Sequence, residues 1–244
     1  MDLISQIFSP SSKQHSFILL TTDYFTKWVE VVPLKIVNQS HAIDFIKKHM
    51  AHKFGLPQTI TVNQGTVFNG DEVKEFARIY SIQVLNSSTY YAQANGQAES
   101  SNKTIKATLS RVIEDNPRDW HELPSKMLWA YRNSKRGSTQ ASPYELVYGY
   151  AAVLSLEVTV RSSKVARHYD IPVDEYNEAM FIELQDVEEK RIDAFNCMIA
   201  QKKKIKKIHN KKARVKDFVE GDLVWKTILP LGTKDLEFSK WSPN

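Results

Sequence analysis

The chain has 244 residues, with 33 lysines and arginines against 28 aspartates and glutamates, for a formal net charge of +5. A content of 42% hydrophobic and 25% charged residues excludes a wholly disordered chain, and the length suffices for one domain with appendages or two modest domains. The single cysteine, Cys197, excludes an intrachain disulfide and any zinc site needing two cysteines of this chain.

Met1–Ile4 reads as the end of a strand, without the basic region or cleavage site of a signal peptide. Ser9–Ser12 is a turn. The aromatic and β-branched stretch Ser16–Leu34 predicts two strands joined by a turn near Asp23–Lys27. Asn38–Phe54 carries Ala42, Phe45, Ile46, His49, Met50 and Phe54 at helical spacing, and Gly55-Leu56-Pro57 stops it. His49 and His52 read as ordinary helix residues. Thr59–Val62 is a short strand with Asn63-Gln64-Gly65 at its carboxyl end. Asp71–Tyr80 is amphipathic through Val73, Phe76, Ala77 and Tyr80, Ile82–Leu85 is a strand, and Tyr90–Gly96 is a polar loop. Strand and helix alternate, which predicts an α/β layer, and the opening hairpin makes its sheet mixed.

Gln97–Asp115 is a longer helix, with an apolar stripe of Ala98, Ile105, Leu109 and Val112 beside a polar stripe of Glu99, Lys103, Lys106 and Ser110. Asn116-Pro117 ends it. Trp120–Asn133 is another helix, using Leu123, Met127, Leu128 and Tyr131, and Pro143–Tyr148 is a helical turn. Trp28, Trp129 and Trp225 read as core or half-buried residues. Residues 151–172 are irregular apart from one extended piece, Val153–Val160. Asp174–Lys216 is one long helix with Met180, Leu184, Val187, Phe195 and Met198 along one side, a packing stripe. Phe218–Leu229 reads as two short strands around Gly221-Asp222. No run approaches the roughly 20 apolar residues of a membrane helix.

The positive charge is local. Residues 201–216 hold nine bases (Lys202, Lys203, Lys204, Lys206, Lys207, Lys211, Lys212, Arg214 and Lys216) and no acid, which leaves the rest of the chain at −4. Such a run is either a polyanion contact or a solvated, lysine-rich helix end. Acids at strand ends and helix starts suit a divalent-metal site. Asp2, Asp23, Asp71, Glu72 and Glu99 qualify, and each also reads as a surface acid.

Four ordered motifs narrow the choice: I-L-L-T-T-D-Y-F-T-K-W-V-E-V-V-P-L (18–34), F-G-L-P-Q-T-I-T-V-N-Q-G-T-V-F (54–68), Y-Y-A-Q-A-N-G-Q-A-E-S-S-N-K (90–103) and W-A-Y-R-N-S-K-R-G-S-T-Q-A-S-P-Y-E-L-V-Y-G (129–149). Together they resemble the integrase of Ty3/gypsy-type long-terminal-repeat retrotransposons, closest to plant forms, over essentially the whole chain. The resemblance implies a ribonuclease-H-like α/β core over 1–150, an extended segment and long basic linker helix over 151–216, and the start of an incomplete SH3-like domain over 217–244. It also implies a D,D-35-E triad that binds two Mg2+ or Mn2+ ions, trims element DNA ends and joins them to target DNA.

Carried over residue by residue, the triad is Asp2, position 63 and Glu99, with residues 64–98 giving the spacing of 35. Asp23 matches a position outside the triad. Position 63 departs from the family's T-D-Q-G, because the chain has Thr61-Val62-Asn63-Gln64-Gly65. The loss of that negative charge implies weakened metal binding and crippled catalysis. Lys103 and Lys106, which follow Glu99 on its helix face, match residues that contact element DNA. For Lys103 alone, an ion pair with Glu99 is the competing reading. Tyr91, Gln93, Asn95 and Gly96 match the loop near the scissile phosphate, while Lys202, Lys203, Lys204, Lys206 and Lys207 imply sequence-independent phosphate contacts. The resemblance further implies homo-oligomers and a nuclear location.

The family's His-His-Cys-Cys zinc module has no counterpart in this sequence. The chain begins one residue before Asp2 and stops within the SH3-like segment. With Asn63, this implies a degenerate element or a cut gene model, or else a polyprotein continuing upstream of Met1. The competing functional reading is a non-catalytic nucleic-acid-binding relic.

Overall fold

The computed structural model describes residues 1–4, 7, 10–62, 65–87, 96–152 and 173–212, with only the backbone of 96–101, 173–177, 179–180, 183–184 and 212. Strands β1 (Asp2–Ile4), β2 (Phe17–Thr22) and β3 (Val29–Leu34) pair antiparallel in the order β1-β2-β3. Asp2 faces Leu20 across one pair, and Leu20 faces Val31 across the other. Strands β4 (Thr59–Val62) and β5 (Gln83–Asn86) form a parallel pair. The Met1 backbone nitrogen donates to the Thr61 carbonyl at 2.6 Å, which sets β1 beside β4. The expected mixture of strand directions is present.

Side-chain alternation along the strands divides the core. On β2, Ile18 and Leu20 point to one face, where they join Ile4, Val29, Ile105, Leu109, Trp120 and Leu128. Leu19 points to the other and joins Phe45, Ile60, Val62, Phe76 and Ile82. Both faces are therefore covered by helices. The turn between β2 and β3 falls where the sequence predicts it. Asp23 Oδ2 ties it by accepting from the Thr26 amide at 2.7 Å and the Thr26 hydroxyl at 2.7 Å.

Helix α1 (Gln39–Phe45) starts at Asn38, whose side chain accepts from the His41 amide at 2.9 Å. It runs on as a π-helical stretch, Ile46–Ala51, and a last turn, α2 (His52–Phe54), before Gly55 at φ 86° ends it. The sequence predicts one helix; its widened middle is invisible to a 3.6-residue period. A short helix not expected from the sequence, α3 (Thr66–Asn69), precedes α4 (Asp71–Ile79). Val73, Phe76 and Ala77 of α4 are buried, but Tyr80 lies beyond its end and is exposed.

Helix α5 (Gly96–Asp115) buries Asn102, Ile105, Leu109 and Ile113. The stripe ends on Ile113 where the sequence favours Val112. Helix α6 (Pro124–Asn133) begins four residues later than expected, because Pro124 takes the first helical position and Trp120 is buried in the turn before it. Trp28 is in the core, whereas Trp129 is exposed. A capping box opens α7 (Pro143–Tyr148): the Ser142 amide donates to Glu145 Oε2 at 2.8 Å, and the Glu145 amide donates to Ser142 Oγ at 3.1 Å.

The long helix α8 (Val173–Lys212) lies against this body through Val187, Ala194 and Met198. Arg191 donates to the carbonyls of Leu146 at 3.0 Å and Val147 at 3.2 Å, which end α7. Ala194, not the expected Phe195, is on the docked face; Phe195 stays exposed and meets Phe25 edge-on. The side chains of Met180 and Leu184, the piece Val153–Val160, Trp225 and the SH3-like segment fall outside the described residues. Among the described residues, no helix is long and apolar enough to cross a membrane.

Gly149 ends α7 at φ 90°, and a Cβ there would stand 2.4 Å from Val187 Cγ2. Gly149→Ala is expected to cost about 1–3 kcal/mol through strain and overpacking. It should also loosen α8, read as a lower denaturation midpoint and faster proteolysis within α8.

Candidate active site

Asp2 and Ile4 share a parity on β1, so Asp2 faces α5 with the core. Its residue is 7% exposed. Oδ1 accepts from the Leu3 amide at 2.9 Å. Oδ2 receives the Lys106 ammonium at 2.8 Å and the Asn102 carboxamide at 3.3 Å. Thr22 on β2 donates to Asn102 Oδ1 at 3.1 Å. The β1 carboxylate is thus held by residues 102 and 106, one turn apart on α5, while β2 braces Asn102.

Glu99 stands one turn before Asn102 on the same helix; its side chain lies outside the described residues. Asn63 also lies outside them, although it directly follows β4, the strand beside β1. Tyr91, Gln93 and Asn95 lie outside them too, and Gly96 opens α5. Lys103 is exposed. Lys202 bonds the Tyr24 hydroxyl and lies 4.6 Å from that ring's centroid. Lys203, Lys204, Lys206 and Lys207 are exposed on α8.

Asn102 and Thr22 were not singled out by the sequence. Asn102 was findable, because it is three residues after Glu99 on a helix. Lys106 was expected to face DNA; here its ammonium lies on Asp2. Lys106→Met is expected to cost about 1–3 kcal/mol, by removing a charged partner from a largely buried acceptor. Urea denaturation measures this loss.

Of the three residues that the resemblance assigns to a two-dication centre, only Asp2 has a described side chain, and the Lys106 ammonium holds the oxygen that faces α5. Among the described residues, no group of three or more histidine, cysteine or acidic side chains could hold a metal ion.

A second polar cluster surrounds Glu30, which is 5% exposed. Its Oε1 accepts from Trp28 Nε1 at 2.9 Å and pairs with Lys53 at 3.0 Å and Arg132 at 3.1 Å. Arg132 also lies 4.1 Å from the Trp28 ring centroid and donates to the Val29 carbonyl at 2.7 Å. Burial pushes the Glu30 carboxyl up, but the Trp28 and Lys53 hydrogen bonds and the Arg132 and Lys53 charges outweigh it, so its pKa lies below the ordinary value. Glu30 lines a cavity of about 830 Å³ with Tyr24, Trp28 and Phe54, and Asp2 is not part of that lining. The cluster ties β3 to α6 and to the end of the α1–α2 helix.

No protein-family model matches the sequence. Over 227 residues the chain is 27% identical to the Transposon Tf2-3 polyprotein of Schizosaccharomyces pombe and equally to its Tf2-4 polyprotein. These alignments cover 92% of this chain, which spans 16% of the length of either polyprotein. Among solved structures, a chain of the simian T-cell lymphotropic virus intasome in complex with PP2A regulatory subunit B56 gamma aligns at TM-score 0.50 and 20% identity, covering 59% of this chain and 52% of that one. The HTLV-2 integrase catalytic core domain in complex with magnesium, in trimeric form, aligns at TM-score 0.46 and 19% identity, covering 59% of this chain and 92% of that one. The chain is thus similar, over most of its length, to part of the Tf2 polyproteins, and it has the ribonuclease-H-like fold of the intasome chain.

Proposed function

We propose that the chain is the integrase-type DNA recombinase module of a retrotransposon, with strand transfer impaired at position 63. The observation that carries this reading is the buried Asp2 on β1, gripped by Asn102 and Lys106 one and two turns after Glu99. The strand beside β1 leads directly into position 63. Asp2, Asn63 and Glu99 would form the catalytic and metal-binding set, and Mg2+ or Mn2+ held there would supply positive charge beside the reacting phosphate. Asn63 offers such an ion an oxygen without a charge, so its hold is weak.

Residues 1–150 are the core in this proposal, 151–216 the linker and 217–244 the start of a carboxyl-terminal module. Lys103 and the exposed lysines 203, 204, 206 and 207 contact phosphates of element and target DNA. Tyr91, Gln93, Asn95 and Gly96 approach the DNA end. The protein works as a homo-oligomer in the nucleus. A second reading, a DNA-binding relic without catalysis, is favoured by the Lys106 ammonium on Asp2, which leaves that carboxylate neutralised from within.

The test is binding and joining of a duplex with an element-type end. Affinity should fall with salt, at a log–log slope of about −0.9 per neutralised phosphate. Replacing Lys203, Lys204, Lys206 and Lys207 by alanine should flatten that slope. Salt-independent affinity, or an unchanged slope in the alanine variant, would remove the basis for the DNA contacts. Salt-dependent binding with no joining even after Asn63→Asp would favour the relic.

A further inference from the structure

Two side chains of α5 hold Asp2, and only one of them is free to leave. Asn102 approaches Oδ2 at 3.3 Å, but it is buried and braced by the Thr22 hydroxyl at 3.1 Å. Lys106 lies on the same oxygen at 2.8 Å, and its side chain is 38% exposed against 10% for that of Asp2. Its ammonium sits on a flexible four-carbon stem that can turn outward. Outward lies the surface of α5 that carries the exposed Lys103, one turn before it.

Lys106 does not leave without cost. A carboxylate covered this deeply is strongly destabilised when its ion-pair partner is withdrawn. The Met1 ammonium also attracts Asp2, but it donates to the Thr61 carbonyl at 2.6 Å. A phosphate can therefore draw Lys106 outward only when another cation takes over Oδ2. Lys106 in turn resists any cation at Oδ2, because like charges on one oxygen repel. The two events are one exchange, so each ligand raises the affinity for the other by the same factor.

We infer that Asp2 withholds Lys106 from DNA, and that Lys106 yields its place on Oδ2 to a divalent cation as it moves to a phosphate of the DNA end. In the free protein Lys106 is the resident counter-ion of the site and keeps Asp2 in place. The lysine thereby makes DNA and cation binding cooperative, and it keeps the site closed to either ligand alone. The exchange against a cation rests on the integrase reading of the site; the hold of Asp2 on Lys106 does not.

The test begins without metal. The full chain, freed of nucleic acid and kept in EDTA, is titrated with a duplex carrying an element-type end over a range of salt. Asp2→Asn removes the charge that holds Lys106. It should bind about tenfold more tightly at about 0.1 M salt, with a log–log slope steeper by about 0.9, the signature of one added phosphate contact. Lys106→Gln should change wild-type affinity by less than about twofold in EDTA, and it should abolish the gain when combined with Asp2→Asn. Each variant should keep the wild-type circular dichroism spectrum. Calorimetry in the Asn63→Asp background is the second arm. There Lys106→Gln should tighten Mn2+ binding at least about tenfold, and the duplex should tighten it by a similar factor only while Lys106 is present. Three results would each overturn the proposal: Asp2→Asn binding DNA no better than the wild type, Lys106→Gln already weakening binding in EDTA, or Mn2+ affinity indifferent to Lys106. A gain in Asp2→Asn without saturable Mn2+ binding to either Asn63→Asp protein would refute the integrase reading instead, and leave the hold of Asp2 on Lys106 standing.

Discussion

Asn63→Asp is expected to raise strand transfer by about 10²–10³-fold, the effect of restoring one key stabilising group at a reacting centre. Carboxamide and carboxylate have nearly the same shape, so the change adds a negative charge with little disturbance of packing. A divalent cation among oxygen ligands depends on that charge, and Asp2 shares its own with Lys106. The restored acid follows β4, and β4 lies beside β1. The comparison calls for the same polyprotein context in both proteins and a joining assay with an element-type end. Joining that is equal and robust in both would show that the charge at position 63 does not limit the reaction.

The largest expected loss of stability is at Glu30. Glu30→Ala should cost about 3–5 kcal/mol, because it strands the cations gathered on a buried carboxylate. Arg132 would keep its bond to the Val29 carbonyl but lose its counter-ion, and the Trp28 indole would lose its acceptor. Lys53 is half exposed and turns to water, so most of the loss comes from Arg132 and Trp28. Denaturant titration measures the change.

The same residue sets an acid limit. The folded pKa of Glu30 is depressed, so its contribution is complete above the unfolded value of about 4.3. It disappears as pH falls through the lower, folded value. Stability of the wild type should therefore fall more steeply than that of Glu30→Gln across that acid window. Parallel curves would contradict the assignment.

The fold was legible wherever the pattern was local. Alternation of Ile18, Leu19 and Leu20 separates the two core faces, Gly55 and Pro57 stop a helix, and Ser142 and Glu145 cap another. Helix starts were less legible: the Trp120 turn has helical composition, but Pro124 delays the helix. The π-helical stretch over 46–51 leaves no signature in a regular period. On α8, Ala194 and Phe195 compete for the same side, and the smaller residue wins because the helix comes close to the body there.

Asp2, position 63 and Glu99 were singled out by the family resemblance alone; the structure places Asp2 on β1 and describes neither of the other two side chains. What holds Asp2 was not legible. The Lys106 contact needs the register of α5 against β1, which links residues far apart in the chain. The Glu30 cluster is harder still, since Trp28, Lys53 and Arg132 come together only through tertiary packing. Trp28 and Arg132 lie within two of the quoted motifs, but nothing in those motifs pairs one with the other.

If the site is of integrase type, the missing charge at position 63 should show first in metal binding. Calorimetric titration of Mn2+ into the wild-type chain and into Asn63→Asp tests it most directly. Weak, unsaturable heats are expected for the wild type and saturable binding once the aspartate is present. Equally tight, saturable binding to both would contradict it.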